Sequence, residues 1–258
     1  YTADDGDDFD YKQKIALGST LEFNQFADSD YMDKEPTLGV RIAKGATVAT
    51  YTLDFTEDAE SDVVAADNGL EDFEDSTIEI LGNVYDIVEA TNGTNIVLEL
   101  MGGATKDVME QGQVKSFNIA GKDYEVEVTY IGGTTSQVKF KVNGEVTDAM
   151  VESGTYTLED GTDIGVREIL EEEAGEVTAD QVEFYLGANK IVMRDTTVAG
   201  AADGTLTVGE ENMDEAAVSI KGSNSSGDFL LESLQLVYTA DDDYWFGPGE
   251  MLSEKLEE

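Results

Sequence analysis

The sequence lacks both cysteine and histidine, and it has few basic residues. Without cysteine, the 258-residue chain can form no disulfide framework, thiolate nucleophile or zinc–thiolate site. Without histidine, it can form neither a Ser-His-Asp triad nor a histidine metal site. These absences exclude the catalytic centres that depend on cysteine or histidine, whereas carboxylate chemistry remains possible.

Basic residues number 15 against 57 acidic residues, and the formal net charge is −42. Nucleic-acid binding needs clustered Lys and Arg, but the three arginines, Arg41, Arg167 and Arg194, are far apart in sequence. An anionic membrane surface would repel the chain because both are strongly negative. Because so large a charge destabilises the compact state unless salt or bound cations offset it, we expect a cation-rich extracellular setting or a high-salt cytoplasm.

Long hydrophobic runs are also missing. No run approaches the roughly 18 residues of a membrane-spanning helix, and no apolar segment follows positive charge as in a signal peptide. The chain starts with Tyr1 rather than methionine. We therefore expect either that a signal peptide has been removed or that the sequence is a segment of a longer polypeptide.

The dominant pattern in the sequence is an alternation of apolar and polar residues, which predicts β-strands. Three clear examples are ATVATYTLDFTED, DYEVEVTYI and QVKFKVNGEV. Their predicted inward-facing residues are Ala49, Tyr51, Leu53 and Phe55; Tyr124, Val126, Val128 and Tyr130; and Val138, Phe140 and Val142. Asn143-Gly144 predicts a two-residue type I′ turn, because both turn positions need positive φ.

One segment, DIGVREILEEE, predicts a helix instead. Its apolar residues Val166, Ile169 and Leu170 form a single short stripe, which places the helix near residues 164–173. The predicted fold class is therefore all-β, with one or more immunoglobulin-like β-sandwich domains and one short connecting helix. Composition shifts predict an outer sandwich lobe formed by residues 1–75 with 200–258, and an inserted β-rich lobe formed by residues 76–199.

Two runs of aspartate are candidate ligands for Ca²⁺, which takes about six to eight oxygen ligands. The spacing fits neither an EF-hand loop nor a calcium β-roll, so such a site would be irregular and weak, and a solvated acidic turn is the alternative. No cofactor is required, and Ca²⁺ is the candidate metal. The candidate ligands are Asp4, Asp5, Asp7, Asp8 and Asp10 in the first run and Asp241, Asp242 and Asp243 in the second.

The pentapeptide YTADD begins each of these regions, at residues 1–5 and 238–242. The residues that follow the two copies differ, so we interpret the repeat as a strand end at a junction between modules rather than as an ion site. The second copy leads into Tyr244, Trp245 and Phe246. An aromatic anchor at an interface and a plug of the protein core are both open interpretations of this triplet.

Two tripeptides, Asn92-Gly-Thr and Asn224-Ser-Ser, match the acceptor pattern for N-glycosylation. Both lie in predicted turns, so they predict N-linked glycans at Asn92 and Asn224. A glycosidase-like carboxylate pair remains the open enzymatic alternative, although no sugar-stacking platform is evident around the single tryptophan, Trp245.

Several segments, taken in order, resemble archaeal S-layer (surface-layer) proteins. They are PTLGVRIAKGATVATYTLDFTED, STIEILGNVYDIVEATN, YEVEVTYIGG, VKFKVNGEVT, GTYTLEDGTDIGVREILEEEAG and VEFYLGANKIVMRD. Their order and number, rather than any single motif, carry the resemblance, which extends over most of the chain. It implies a secreted, non-enzymatic protein that self-assembles into a lattice. Family members are usually longer, so the chain would be a segment or a shortened relative that forms an extracellular filament.

We therefore predict an extracellular structural protein of the archaeal cell surface, not an enzyme. Its predicted partners are copies of itself in a homopolymer, together with divalent cations and N-linked glycans. Edge strands such as KQKIALG and SLQLVYTA are predicted to pair between subunits, because strand addition uses main-chain hydrogen bonds whatever the side-chain charge. The alternative prediction is a monomeric extracellular adhesin or glycan-binding β-sandwich module.

Overall fold

The computed structural model describes residues 9–18, 21–25, 38–66, 68–74, 76–119, 121–170, 179–225 and 227–251. Within these residues the chain forms 18 β-strands and no helix, which confirms the all-β class. The strands are β1 (Tyr11–Leu17), β2 (Leu21–Gln25), β3 (Leu38–Ile42), β4 (Thr47–Asp62), β5 (Thr77–Ile80), β6 (Asn83–Asn92), β7 (Ile96–Glu110), β8 (Val114–Ile119), β9 (Lys122–Gly132), β10 (Gln137–Val142), β11 (Glu145–Val146), β12 (Thr155–Thr157), β13 (Asp163–Leu170), β14 (Gln181–Asp195), β15 (Gly204–Val208), β16 (Glu211–Ser225), β17 (Asp228–Thr239) and β18 (Tyr244–Phe246).

Eleven of these strands form one antiparallel main sheet, in which nine follow the order β1-β4-β17-β16-β15-β14-β7-β6-β5. The first and last strands of this order, β1 and β5, also contact each other. The Tyr11 hydroxyl and the Gln13 side-chain amide of β1 donate hydrogen bonds of 3.2 and 3.0 Å to the Glu79 carbonyl of β5. The main sheet is therefore nearly closed and barrel-like, rather than a clear immunoglobulin-like sandwich.

The first hydrophobic core lies inside this curved sheet. The alternating pattern of β4 turns Tyr51, Leu53 and Phe55 into this core, as predicted, whereas Ala49 is half-buried. Phe73 and Phe229 meet edge to face there, with ring centroids 6.3 Å apart. Aromatic pairs in this arrangement contribute about 1 kcal/mol beyond the area that they bury.

A second hydrophobic core lies beyond the main sheet. The four-stranded sheet β11-β10-β9-β8 packs there against β13, the first half of β14 and the end of β7. Phe140 of β10 and Phe184 of β14 join the two layers, with ring centroids 5.1 Å apart. The predicted type I′ turn is confirmed, since Asn143 and Gly144 both have positive φ, at 50° and 95°.

Most inward positions predicted for β9 and β10 are buried, but Tyr130 is exposed and Ile131 is buried instead. The pairing of β9 with β10 shifts register between Lys139 and Phe140, so Thr129 is an extra residue on β9. Such a β-bulge reverses the alternation of faces beyond it. The confirmed inward residues are Tyr124, Val126, Val128, Val138, Phe140 and Val142.

The predicted helix near residues 164–173 is wrong for the residues that are described, because 163–170 form strand β13. The pairing of β13 with β14 shifts between Val166 and Glu168, which makes Arg167 the extra residue of a β-bulge. The bulge leaves both Val166 and Ile169 buried, and their spacing of three imitates a helical repeat. Residues 171–173 lie outside the described residues, and the predicted lobe boundaries remain a prediction.

Candidate functional site

The second YTADD copy lies between the main sheet and a small three-stranded sheet of order β18-β3-β2. Strand β17 ends at Thr239, Ala240 is buried, and Asp241 and Asp242 follow in a bend. This copy therefore ends a strand, as predicted. The first copy, at 1–5, lies outside the described residues.

The carboxylates of Asp241, Asp242 and Asp243 turn to different partners. Asp241 accepts a hydrogen bond from the Tyr244 hydroxyl, and Asp242 accepts one of 2.7 Å from the Asp243 N–H. Asp243 accepts bonds of 2.8 Å from the Lys44 N–H and from the Arg41 guanidinium. The Tyr244 hydroxyl lowers the pKa of Asp241, and the Lys44 N–H, followed by Arg41, lowers the pKa of Asp243.

The four candidate calcium ligands that are described, Asp10, Asp241, Asp242 and Asp243, are not brought together as a set. Among the described residues, no group of three or more Asp or Glu side chains is arranged to hold a metal ion. Asp10 is exposed, and its backbone carbonyl accepts a 2.7 Å hydrogen bond from the Thr56 N–H. The other four candidates, Asp4, Asp5, Asp7 and Asp8, lie outside the described part of the chain, so calcium binding stays a prediction.

Arg41 of β3 contacts three residues of the small sheet and of the segment that enters it. Its guanidinium forms ion pairs with Glu22 at 3.1 Å and with Asp243 at 2.8 Å, and it lies 5.2 Å from the centre of the Trp245 ring. Tyr244 is buried in a third core formed with Ile42, Val48 and Ala240, and Phe246 packs against it. These contacts favour the core plug over the interface anchor as the role of the aromatic triplet.

The two predicted glycosylation sites lie side by side. The side-chain amide of Asn92 donates a 2.6 Å hydrogen bond to the side-chain oxygen of Asn224. Asn92 is the last residue of β6, and Asn224 lies near the end of β16. Asn224 is exposed and Asn92 is half-buried. The prediction that these asparagines lie in turns is wrong, because both lie in strands, and the folded chain brings them into contact on one surface.

An ionic cluster that the sequence did not predict surrounds Arg167. Its guanidinium lies 2.6 Å from Glu183 and 3.6 Å from Asp86, and only 11% of its side chain is exposed. Lys106 adds contacts of 2.8 Å to Asp86 and 3.3 Å to Glu183. The bulge in β13 directs Arg167 toward these acids, and the only signal available in the sequence was the scarcity of basic residues.

A second ionic group follows along the same strands. Lys190 and Arg194 of β14 lie 2.8 and 3.9 Å from the carboxylate of Glu99 on β7. Glu89 of β6 is close by, and partial desolvation of its carboxylate, followed by the charge of Glu99, raises its pKa. The first group joins β6, β7, β13 and β14, and the second joins β6, β7 and β14, so we assign both a role in holding these strands together.

Two open grooves are the candidate ligand sites. The larger, of about 590 Å³, is lined by Lys122, Tyr124, Asn143, Glu145 and Asp160, among others. Its polar side chains already bond within the protein: Lys122 to Asp160, Tyr124 to Thr162 at 2.7 Å, and Glu145 to the Glu159 N–H at 3.0 Å. A ligand in this groove would have to displace internal bonds.

The smaller groove, of about 420 Å³, is lined by Glu74, Val88, Glu89, Glu152, Ser153, Arg167 and Glu168. Several of its acids are engaged as well. Glu74 accepts a hydrogen bond of 3.1 Å from the Ala90 N–H, and Glu152 accepts one of 2.8 Å from the Ile169 N–H. We therefore assign these acids a structural role.

The edge of the main sheet at β1 carries exposed apolar residues. Ile15 and Leu17 are 60% and 76% exposed. The Gly18 N–H donates to Val48, and the Thr56 N–H donates to the Asp10 carbonyl, so the even-numbered residues of this strand bond to β4. Because bonding alternates along an antiparallel strand, the main-chain groups of Ile15 and Leu17 point away from β4.

The opposite edge, at β5, is capped. The Tyr11 hydroxyl accepts a 3.0 Å hydrogen bond from the Glu79 N–H and donates one to the Glu79 carbonyl. The Gln13 side chain accepts a 2.9 Å bond from the Leu81 N–H. The prediction that KQKIALG forms an edge strand is confirmed, because β1 is the first strand in the order of the main sheet, while its pairing between subunits stays a prediction. The same prediction for SLQLVYTA is wrong, because this segment lies in β17 between β4 and β16.

No family model matches the chain, and no curated protein matches it either. In the part of the chain that the structure describes, no helix is long and apolar enough to span a membrane.

Proposed function

We propose that the chain is a non-enzymatic structural protein of the archaeal cell surface. In this proposal it self-assembles into an S-layer lattice or an S-layer-like extracellular filament. The observation that carries the proposal is the second half of β1, which forms no main-chain bonds on its outer side to the described residues. Ile15 and Leu17 are exposed there beside outward-pointing main-chain groups. Monomeric proteins normally protect such an edge with charges, prolines or covering loops, because it is a template for pairing with another chain.

The charge of the chain sets the conditions for this assembly. Two copies that each carry −42 repel one another wherever acids face acids. Strand β1 contains Lys12 and Lys14 and no acidic residue. Repulsion is therefore reduced along this edge. Salt at physiological or higher concentration screens the remaining repulsion between the two copies over about 8 Å or less.

Further parts of the proposal rest on the sequence. The extracellular location and the S-layer assignment rest on the resemblance, N-linked glycans rest on the acceptor patterns at Asn92 and Asn224, and Ca²⁺ rests on the aspartate runs. The immunoglobulin-like sandwich is kept as a proposal for the second core alone. It is supported there by the packing of two sheet layers across Phe140 and Phe184.

Electron microscopy and sedimentation of the purified chain test the proposal. We expect ordered assemblies at high protein concentration in salt with Ca²⁺, and we expect them to dissociate when salt is removed. A parallel sample with chelator shows whether divalent cations contribute. A chain that stays monomeric under all these conditions would contradict self-assembly.

The alternative, a monomeric adhesin or glycan-binding module, is supported by the groove at Lys122 and Asp160. It predicts monomers in every sample, and binding to a glycan array that is lost when Asp160 is replaced by alanine. The internal hydrogen bonds of this groove favour self-assembly as the main proposal. A screen for glycoside hydrolysis, which we expect to be negative, addresses the remaining enzymatic alternative.

A further inference from the structure

We propose that two copies of the chain pair through β1 across a two-fold axis, as antiparallel strands with Ala16 opposite Ala16 of the second copy. This inference rests on the proposed self-assembly and specifies one of its contacts. The two main sheets would become continuous across the axis.

The difference between the two edges of the main sheet is the first argument. At β5, the main-chain groups of Glu79 and Leu81 are occupied by the side chains of Tyr11 and Gln13. At β1, the outward main-chain groups of Ile15 and Leu17 have no such cap among the described residues. An added strand can therefore pair with the second half of β1 while its first half continues to cap β5.

The order of side chains along β1 is the second argument. Ile15 and Leu17 share one face, with the small Ala16 between them on the other. When Ala16 faces its counterpart, Ile15 of each copy lies opposite Leu17 of the other. Directly opposite side chains have Cβ atoms about 5 Å apart, so four exposed apolar side chains form one cluster. The pattern is self-complementary, which is what a two-fold contact requires.

Hydrogen bonding agrees with this register. Because the even-numbered residues of β1 bond to β4, the odd-numbered residues supply the bonds to a new strand. Ile15 and Leu17 therefore form the hydrogen-bonded pairs of the contact, and Ala16 forms a non-hydrogen-bonded pair with its counterpart.

Charge identifies a second copy as a suitable occupant. An acidic chain has to approach another acidic chain where acids are absent, and β1 contains two lysines and no acid. In the proposed register Lys14 lies opposite Gly18 of the second copy, so the lysines do not face one another. The lysines also offset the acids that lie near the contact in both copies, such as Asp54 beside Lys12.

The absence of cysteine from the chain allows a direct test in the full-length protein. In the proposed register the two Ala16 Cα atoms lie about 4.5 Å apart, which is within the range for a disulfide. Ala16→Cys should therefore give a covalent dimer under mild oxidation. Lys14→Cys is the matched control, because its two Cα atoms would lie about 14 Å apart at 3.4 Å per residue. We expect Ala16→Cys to crosslink at least about tenfold faster on a non-reducing gel.

A second variant tests the apolar cluster without a crosslink. Leu17→Glu changes a residue that is 76% exposed, so we expect an unchanged circular dichroism spectrum and thermal midpoint. We expect the dimer dissociation constant, from sedimentation, to rise at least about tenfold, because the glutamate adds a charge to the cluster. Val146→Glu adds the same charge at a residue of β11 that is 53% exposed, and it should leave the dissociation constant unchanged.

The outcomes separate this inference from the proposed function. Assemblies of the natural sequence, together with equal crosslinking of the two cysteine variants, would overturn the β1 contact and leave self-assembly standing. Equal dissociation constants for Leu17→Glu and Val146→Glu would overturn it in the same way. A natural sequence that stays monomeric, with no crosslinking of Ala16→Cys, would overturn both proposals and leave the edge to a different partner.

Discussion

The side-chain amide of Asn92 donates a 2.6 Å hydrogen bond to the side-chain oxygen of Asn224, although the two residues are 132 positions apart in sequence. Each asparagine belongs to a predicted acceptor site for an N-linked glycan. The ends of β6 and β16 bring the two sites to one end of the main sheet. Glycans at both positions would start from neighbouring side chains and compete for the same space.

We therefore predict that each copy carries one N-linked glycan rather than two, in a host that glycosylates this acceptor pattern. Asn224 should be the main site, because it is exposed while Asn92 is half-buried. Intact mass spectrometry should show one glycan on the natural sequence, one at Asn92 in Asn224→Gln, and none in the double variant with Asn92→Gln. A natural protein with two glycans on most copies would contradict the prediction.

Arg41 should control the environment of Trp245, the only tryptophan of the chain. Arg41→Ala removes the ion pair to Asp243 and the stacked guanidinium, so we predict a red-shifted Trp245 emission and faster quenching by acrylamide. Arg41→Lys should give an intermediate shift, since lysine keeps the charge but not the planar group. Arg194→Ala, which removes a 54% exposed arginine near Glu99, is the control and should leave the emission unchanged.

Lowering the pH should also break the ion pair between Arg41 and Asp243. The Lys44 N–H and Arg41 lower the pKa of Asp243 in the folded chain. Ionised Asp243 therefore stabilises the fold at pH values above its pKa in the unfolded chain, which is about 3.9. This stabilisation is lost as the pH falls through the lower folded pKa. We predict an emission shift of Trp245 as the pH falls below about 4, and a smaller shift in Asp243→Asn, which has already lost the charge. Identical acid titrations of the two proteins would contradict this.

The ionic cluster at the β13 bulge should matter more to stability than any exposed pair. Arg167→Met removes one of the two cations that lie within 4 Å of the buried carboxylate of Asp86 among the described residues. The other cation, Lys106, remains. We predict a loss of about 3 kcal/mol in the free energy of unfolding, measured by denaturant titration.

The control for this prediction is Lys221→Met. It breaks an ion pair with Glu232 in which both side chains are more than 40% exposed, so it should cost less than about 1 kcal/mol. Similar losses in the two variants would show that the cluster at Arg167 contributes no more than a surface pair.

The sequence predicted the strands wherever alternation was uninterrupted, as at Leu53 and Phe140, and it predicted the Asn143-Gly144 turn from local backbone chemistry. It failed at the two bulges. One extra residue, Thr129 or Arg167, moves every later side chain to the other face, and nothing in the local pattern marks it.

Contacts between distant segments could not be predicted for a different reason. The meeting of Asn92 with Asn224, and that of Arg41 with Asp243, depends on which strands become neighbours in the sheet. The same limitation explains the central strand β17. Its alternating segment SLQLVYTA resembles an edge strand locally, and only its pairing with β4 and β16 makes it central.

Strands β7 and β14 run as one ladder beneath both large cores, from Gln181 opposite Glu110 to Asp195 opposite Ile96. Leu98 and Met193 belong to the first core, while Met109 and Phe184 belong to the second. A mechanical load applied to one core is therefore transmitted to the other by shear across the many main-chain hydrogen bonds of this ladder. It does not pass through a single-chain linker that can stretch. We therefore expect the two cores to unfold in one cooperative transition.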